Sequence, residues 1–254
     1  MNEENLIKHY NKHNEDKRLK TKHAQVEFIT AMKYIHEYLK EGSSILDVGA
    51  AMGAYSIPLH EEGYKVTAFE LVKHNLKEIE IKCPDIKCIQ GNAIDLSKLE
   101  DNSFDAILLF GPMYHLISYE EKLKALEEAK RVVKEKGFIF ISYCMNEYAI
   151  ITHAFKEKQA LNIKNNINSK FHVISEPTDL YCYVRLDEIN KLKDDTNLNR
   201  VKILSQDGPA EYLKKEIINM NDEEFDMFIN YHLSTCELPE LLGAGRHILD
   251  ILQK

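Results

Sequence analysis

The sequence has no excess of basic residues: 33 Lys and Arg stand against 41 Asp and Glu, a net charge of −8 at pH 7. Gripping nucleic acid through its phosphates needs a basic surface, so this balance argues against a nucleic-acid partner. No apolar run approaches the length of a bilayer-spanning helix. The first residues, Met1-Asn2-Glu3-Glu4-Asn5, are polar where a secretory leader would be apolar. The expectation is a cytoplasmic chain with no membrane partner. Cysteine is sparse. Cys83, Cys88, Cys144, Cys182 and Cys236 are odd in number and scattered, which is no disulfide framework. Cys83 and Cys88 stand further apart than a zinc knuckle requires and no second pair answers them, so no metal site is expected. Internal repeats and low-complexity segments are also missing.

What is present suits a folded chain. Hydrophobic residues make up 44% and charged residues 29% of 254 positions, enough for a core and a solvated surface. The length fits one large domain with insertions. Alternating strand and helix patterns run from residue 44 onward. Strands are expected at Ile45–Val48, Lys65–Glu70, Ile86–Gln90, Phe104–Phe110, Phe138–Tyr143, Val201–Ser205 and Arg246–Leu252, with a short one at Tyr181–Arg185. Helices are expected at 24–40, Ser56–Glu62, Lys73–Lys82, Tyr119–Lys134 with Gly137 at its end, Tyr148–Gln159, Asp187–Lys193, Pro209–Met220 and Asp222–Cys236, the last with Asp222 as its cap. His36 falls on the apolar face of the first helix and reads as a packed core residue. The run Ile107-Leu108-Leu109-Phe110 is apolar on both faces, as in a strand buried within a parallel sheet. The pattern predicts an α/β fold: a doubly wound, seven-stranded, mostly parallel sheet with a helical insertion before the last strand.

The chain is centred on Ser44-Ile45-Leu46-Asp47-Val48-Gly49-Ala50-Ala51-Met52-Gly53-Ala54-Tyr55. An apolar strand ends beside an acid, a turn of small residues follows, and a helix begins. Such a joint holds a ligand at the carboxyl end of a buried strand, where only small side chains let the backbone come close. Glu70, at the end of the second strand, can take two hydroxyls at once.

Asp47-Val48-Gly49-Ala50-Ala51-Met52-Gly53 resembles the first motif of class I S-adenosylmethionine-dependent methyltransferases. Glu70 stands where that family has its ribose-binding acid, and Gly91-Asn92-Ala93 where it contacts adenine. Phe104–His115 resembles the fourth-strand motif, and Arg131–Phe138 the turn into the fifth strand. The resemblance implies a Rossmann-like fold, S-adenosylmethionine as cofactor and S-adenosylhomocysteine as product. It places Asp47, Gly49, Ala50, Ala51, Gly53, Tyr55, Glu70, Leu71, Asn92, Ala93 and Phe110 around the cofactor. Two positions depart from the pattern: Ala51 replaces the middle glycine, and Asn92 replaces the adenine-side acid.

Methyl transfer needs alignment of acceptor, methyl and sulfur, and a base only where the acceptor is not already a nucleophile. His115, a residue type whose unperturbed pKa lies near neutrality, and Tyr114 are the catalytic candidates. Phe110-Gly111-Pro112-Met113-Tyr114 lacks the amide or acid that opens the loop in members methylating exocyclic base amines, which argues against DNA or RNA bases. A small-molecule acceptor is expected, held by Tyr10, Arg18, Tyr148, Tyr231 and His232, with Tyr143 and Tyr148 as an aromatic wall. Residues 1–40 would form a flap and helix, 41–145 the cofactor core, and 146–200 and 209–242 substrate-side insertions. The first 22 residues are either that flap or a frayed terminus. The competing readings are a cofactor-binding protein without catalysis, and a nicotinamide-dependent oxidoreductase, which would want glycines at 49, 51 and 54. The oligomeric state is left open.

Overall fold

A computed structural model describes residues 3–11 and 19–254 of the chain. Seven strands form one sheet in the order β3-β2-β1-β4-β5-β7-β6. They are β1 (Ser44–Val48), β2 (Lys65–Glu70), β3 (Lys87–Gln90), β4 (Phe104–Leu109), β5 (Val133–Cys144), β6 (Asn199–Ser205) and β7 (His247–Gln253). The first five pair in parallel, and β7 runs antiparallel between β5 and β6. The central strands bury both faces over most of their length, whereas the edge strands β3 and β6 are partly exposed. On one face Leu46, Val48, Ile107, Leu109, Ile139 and Ile141 pack with Leu126 and Ala129 of α5 (Tyr119–Val132) and with Ile189 and Leu192 of α7 (Leu186–Asp195). On the other, Ile45, Ala106, Leu108 and Phe140 pack with Tyr34 and Ile35 of α2 (Lys22–Tyr38) and Leu59 of α3 (Ser56–Glu61). Helix α1 (Glu3–Tyr10) precedes this core, and α4 (Lys73–Lys82) connects β2 to β3.

Several boundaries differ from the sequence expectation. Helix α5 stops at Val132, because Val133 is extended and pairs with Phe104. Gly137 therefore lies inside β5, beside a register shift, rather than at a helix end. Tyr181–Arg185 is not a strand; only Val184 bridges, to Met145. The helix after β5 begins two residues early as α6 (Asn146–Ala149) and widens into a π-helix over Ile150–Lys156. Of 209–220 only α8 (Lys214–Asn219) is helical. Helix α9 (Asp222–Thr235) is capped by Asn221, whose side chain accepts from Glu224 N at 2.9 Å, and not by Asp222. His36 faces solvent and bonds Glu62 at 2.7 Å. All five cysteines are free thiols.

Candidate active site

The site grows from the end of β1. Gly49 turns the chain at φ +76°, a left-handed conformation that costs glycine nothing. A Cβ there would lie 2.8 Å from the Pro112 ring, so only glycine lets this turn pass under the loop that leaves β4. Gly49 N donates to Phe69 O at 2.7 Å, which brings the end of β2 alongside. Glu70 then reaches across the turn. Its Oε2 accepts from Ala51 N at 2.9 Å and its Oε1 from Val72 N at 2.8 Å. Burial raises its pKa against the pull of those backbone N–H groups and of the Asn75 amide. Asn75, in the first turn of α4, is buried, and its Oδ1 has no hydrogen-bond partner among the described residues. Asp47 is also buried, takes the Ser56 hydroxyl at 2.6 Å, and is pushed up to about 6 by desolvation, with the Glu70 charge adding to the rise.

These groups share one pocket. Its walls include Tyr10, Asp47, Gly49, Ala50, Ala51, Tyr55, Glu70, Leu71, Asn92, Ala93, Phe110, Tyr114 and His115, all singled out in the sequence. Glu27 and Asn75 also line it, and the sequence reading missed both. Glu27 could have been found: it lies on the stripe of α2 that carries Ala24, Ala31 and Tyr34, and an acid on a buried stripe calls for a reason. The described walls carry three carboxylates and neither Lys nor Arg, a surface suited to a cation. Tyr55 and Phe110 pack at 4.7 Å between ring centroids, giving the pocket an aromatic side.

Helix α1 lies against the same pocket. Leu6 lines it, Asn92 donates to Glu3 Oε1 at 2.6 Å, and the Tyr10 hydroxyl meets His115 Nε2 at 2.6 Å. His115 Nδ1 is 2.6 Å from the Leu180 carbonyl. A carbonyl only accepts, so Nδ1 carries a proton, which in a neutral ring leaves the Nε2 lone pair facing Tyr10.

Other expected residues are elsewhere. Gly53 does not line the pocket; a Cβ there would meet Ile57 at 2.9 Å and Ile79 at 3.1 Å, so it serves the packing of the turn. Tyr148 borders a second cavity with Glu211 and Arg246. Tyr231 is exposed, and His232 is buried, with Nε2 at 3.2 Å from the Gln206 carbonyl and its pKa lowered by burial. Both sit on α9, away from the pocket lining. Tyr143 is a core residue whose hydroxyl has no hydrogen-bond partner among the described residues, and it lines neither cavity, so it forms no wall with Tyr148. Arg18 lies outside the described residues.

Residues 46–141 match a family model described as a methyltransferase domain. Over that stretch, less than half of its length, the chain is similar to methyltransferase domains. A demethylmenaquinone methyltransferase of Paenarthrobacter aurescens is 36% identical over 104 residues, 41% of this chain and 40% of that protein. The match thus spans about two fifths of that relative's length. Among solved structures, a methyltransferase of Thermotoga maritima, described as a possible histamine N-methyltransferase, superposes with a TM-score of 0.58 at 17% identity, covering 95% of each chain. Geranyl diphosphate C-methyltransferase of Streptomyces coelicolor, solved with S-adenosylhomocysteine, gives 0.55 at 12% identity, covering 88% of this chain and 79% of its own. At such identities the structural likeness speaks for the fold.

Proposed function

We propose that the chain binds S-adenosylmethionine in this pocket and methylates a small-molecule acceptor, releasing S-adenosylhomocysteine. The acidic wall carries this reading: Asp47, Glu70 and Glu27 face a space in which the cofactor's ammonium and sulfonium are both positive. The residues also fit the rest of the molecule. Glu70 spends lone pairs on two backbone N–H groups and keeps others for ribose hydroxyls. The orphaned Asn75 Oδ1 lacks a donor that a ribose hydroxyl would supply. Gly49, Ala50 and Ala51 leave room for the amino-acid part, while Leu71, Asn92 and Ala93 border the adenine.

When bound, the cofactor supplies a methyl group on a carbon activated by sulfonium. The chain's own contribution is placement. Tyr55 and Phe110 exclude water beside the reacting end, and His115, fixed by Leu180, holds a lone pair on the acceptor side. For an acceptor that must lose a proton, Nε2 of His115 is the atom that takes it, with Tyr10 giving way or relaying. The methyl acceptors named for similar proteins differ in kind and include a tRNA guanine, so they do not select the acceptor. Calorimetric titration with S-adenosylmethionine, S-adenosylhomocysteine and NAD tests the cofactor, and failure of both methyl-cycle ligands to bind overturns the reading. A labelled-methyl screen over amines, phenols, thiols and carboxylates then separates an enzyme from a binding protein.

A further inference from the structure

Residues 150–175 follow the carboxyl end of β5 and differ in make-up from the rest of the chain. They hold Lys156, Lys158, Lys164 and Lys170 against one acid, Glu157. The segment is therefore +3 with histidines neutral, and the remaining residues are −11. The same segment exposes five large apolar side chains: Ile151, Phe155, Leu161, Phe171 and Ile174, with Leu161 82% and Phe155 58% accessible. Solvated lysines and single exposed apolar residues are each ordinary. Exposed apolar residues recur as densely at 213–238, but there among acids; residues 150–175 combine them with lysines, and that combination matches what the bilayer interface selects: apolar side chains below the headgroups and lysines level with them.

We propose that this insertion is a peripheral docking surface for an anionic lipid bilayer. The proposal does not depend on which acceptor is methylated. No described helix is long and apolar enough to cross a membrane, and a surface contact needs none. The segment is tied down by hydrogen bonds. Asn146 donates to Phe171 O at 2.9 Å and accepts from Val173 N at 2.8 Å, Arg185 donates to Lys170 O at 3.0 Å, and Ile174 N donates to Asn166 O at 2.7 Å. The −11 carried by the rest of the chain disfavours its approach to an anionic surface as a whole, which favours docking through the insertion. Strands β1, β4 and β5 are parallel, so the insertion and the pocket share the carboxyl edge of the sheet. Docking would set the pocket's rim beside the lipid. A nucleic acid would also attract the lysines, but it gives the exposed Ile and Leu side chains nothing to enter.

The test is co-sedimentation of the full chain with vesicles of equal parts phosphatidylglycerol and phosphatidylcholine, and with phosphatidylcholine alone. Preferential binding to the first, weakened by raised salt, is expected. Each lysine contributes about fivefold, so the combined Lys158→Glu, Lys164→Glu and Lys170→Glu variant should lose about a hundredfold or more. Phe155→Ser with Leu161→Ser should lose at least about tenfold. The thermal midpoint of each variant confirms folding, and the salt series on the unaltered chain tests the charge contribution without substitution. Failure to bind anionic vesicles, equal binding to both vesicle types, or binding of an RNA oligonucleotide in place of vesicles overturns the proposal.

Discussion

Ala51 is the residue where the backbone and the side chain disagree. At φ +45° its Cβ crowds the following carbonyl, at a cost of about 1–2 kcal/mol. The position is held because its N–H is given to Glu70. Ala51→Gly removes that strain but returns about 0.4–1 kcal/mol through the freer unfolded chain. The expected net gain is between about 0 and 1.6 kcal/mol, with cofactor affinity equal or tighter; a lowered thermal midpoint would contradict this. Glu70→Ala should weaken S-adenosylmethionine binding about tenfold or more, since charge-assisted bonds are lost. Asn75→Leu, similar in size but without an acceptor, should weaken it about threefold to tenfold. Unchanged dissociation constants by calorimetry for both variants would remove the pair from the ribose. Glu70 was legible because a carboxylate ending a buried strand stands out in any register. Asn75 was not, since a polar residue in a charged helix reads as solvated until α4 is packed on β2.

At the level of elements, the strands were legible and their neighbours less so. Buried strands announce themselves by unbroken apolar runs, whereas β5 begins at Val133 through pairing with Phe104, a partner far away in sequence. The segment 181–185 has strand composition but only one bridge, because composition does not supply a neighbour. The outer pair β6–β7 has a specific fastening. Arg200 grips Asp250 with Nε at 2.7 Å and Nη2 at 2.8 Å, and Asp250 is fully buried. Burial raises the Asp250 pKa and Arg200 opposes that rise. Arg200→Met strands the buried carboxylate and should cost about 3 kcal/mol, read from urea unfolding. Asp250→Asn in the same background should recover part of it.

Across the whole molecule, the doubly wound, mostly parallel sheet followed from the alternation of elements, but the order of its strands and the ties that close the sheet onto its helices did not. Glu27 of α2, Asp207 beyond β6 and His247 of β7 meet in the interior. His247 Nδ1 is 2.9 Å from Asp207 Oδ2 and 3.5 Å from Glu27 Oε2. Burial works against the imidazolium, yet Cys144, Glu27 and Asp207 together carry its pKa up from 6.5 to about 10. A raised folded-state pKa stabilises fully below the unfolded value, and that stabilisation is lost as pH climbs through the folded one. Stability in urea should therefore fall between about pH 6.5 and 10, and His247→Gln should flatten the fall. A wild-type profile flat across that window would show that the imidazole is neutral in the fold. No spacing in the sequence announces this trio, whose members are brought together only by the complete fold.

Helix α1 also bears on time. It is fastened to Asn92 at one end and to His115 at the other, with Leu6 against the pocket between them. A molecule whose route passes α1 would have to wait for those bonds to part, and its exchange would then be paced by the opening of a short helix rather than by diffusion. Stopped-flow binding rates should then level off as ligand concentration rises, at a plateau equal to the opening rate. Tyr10→Phe should lift that plateau, whereas a rate that keeps rising linearly would show that α1 stands clear of the route.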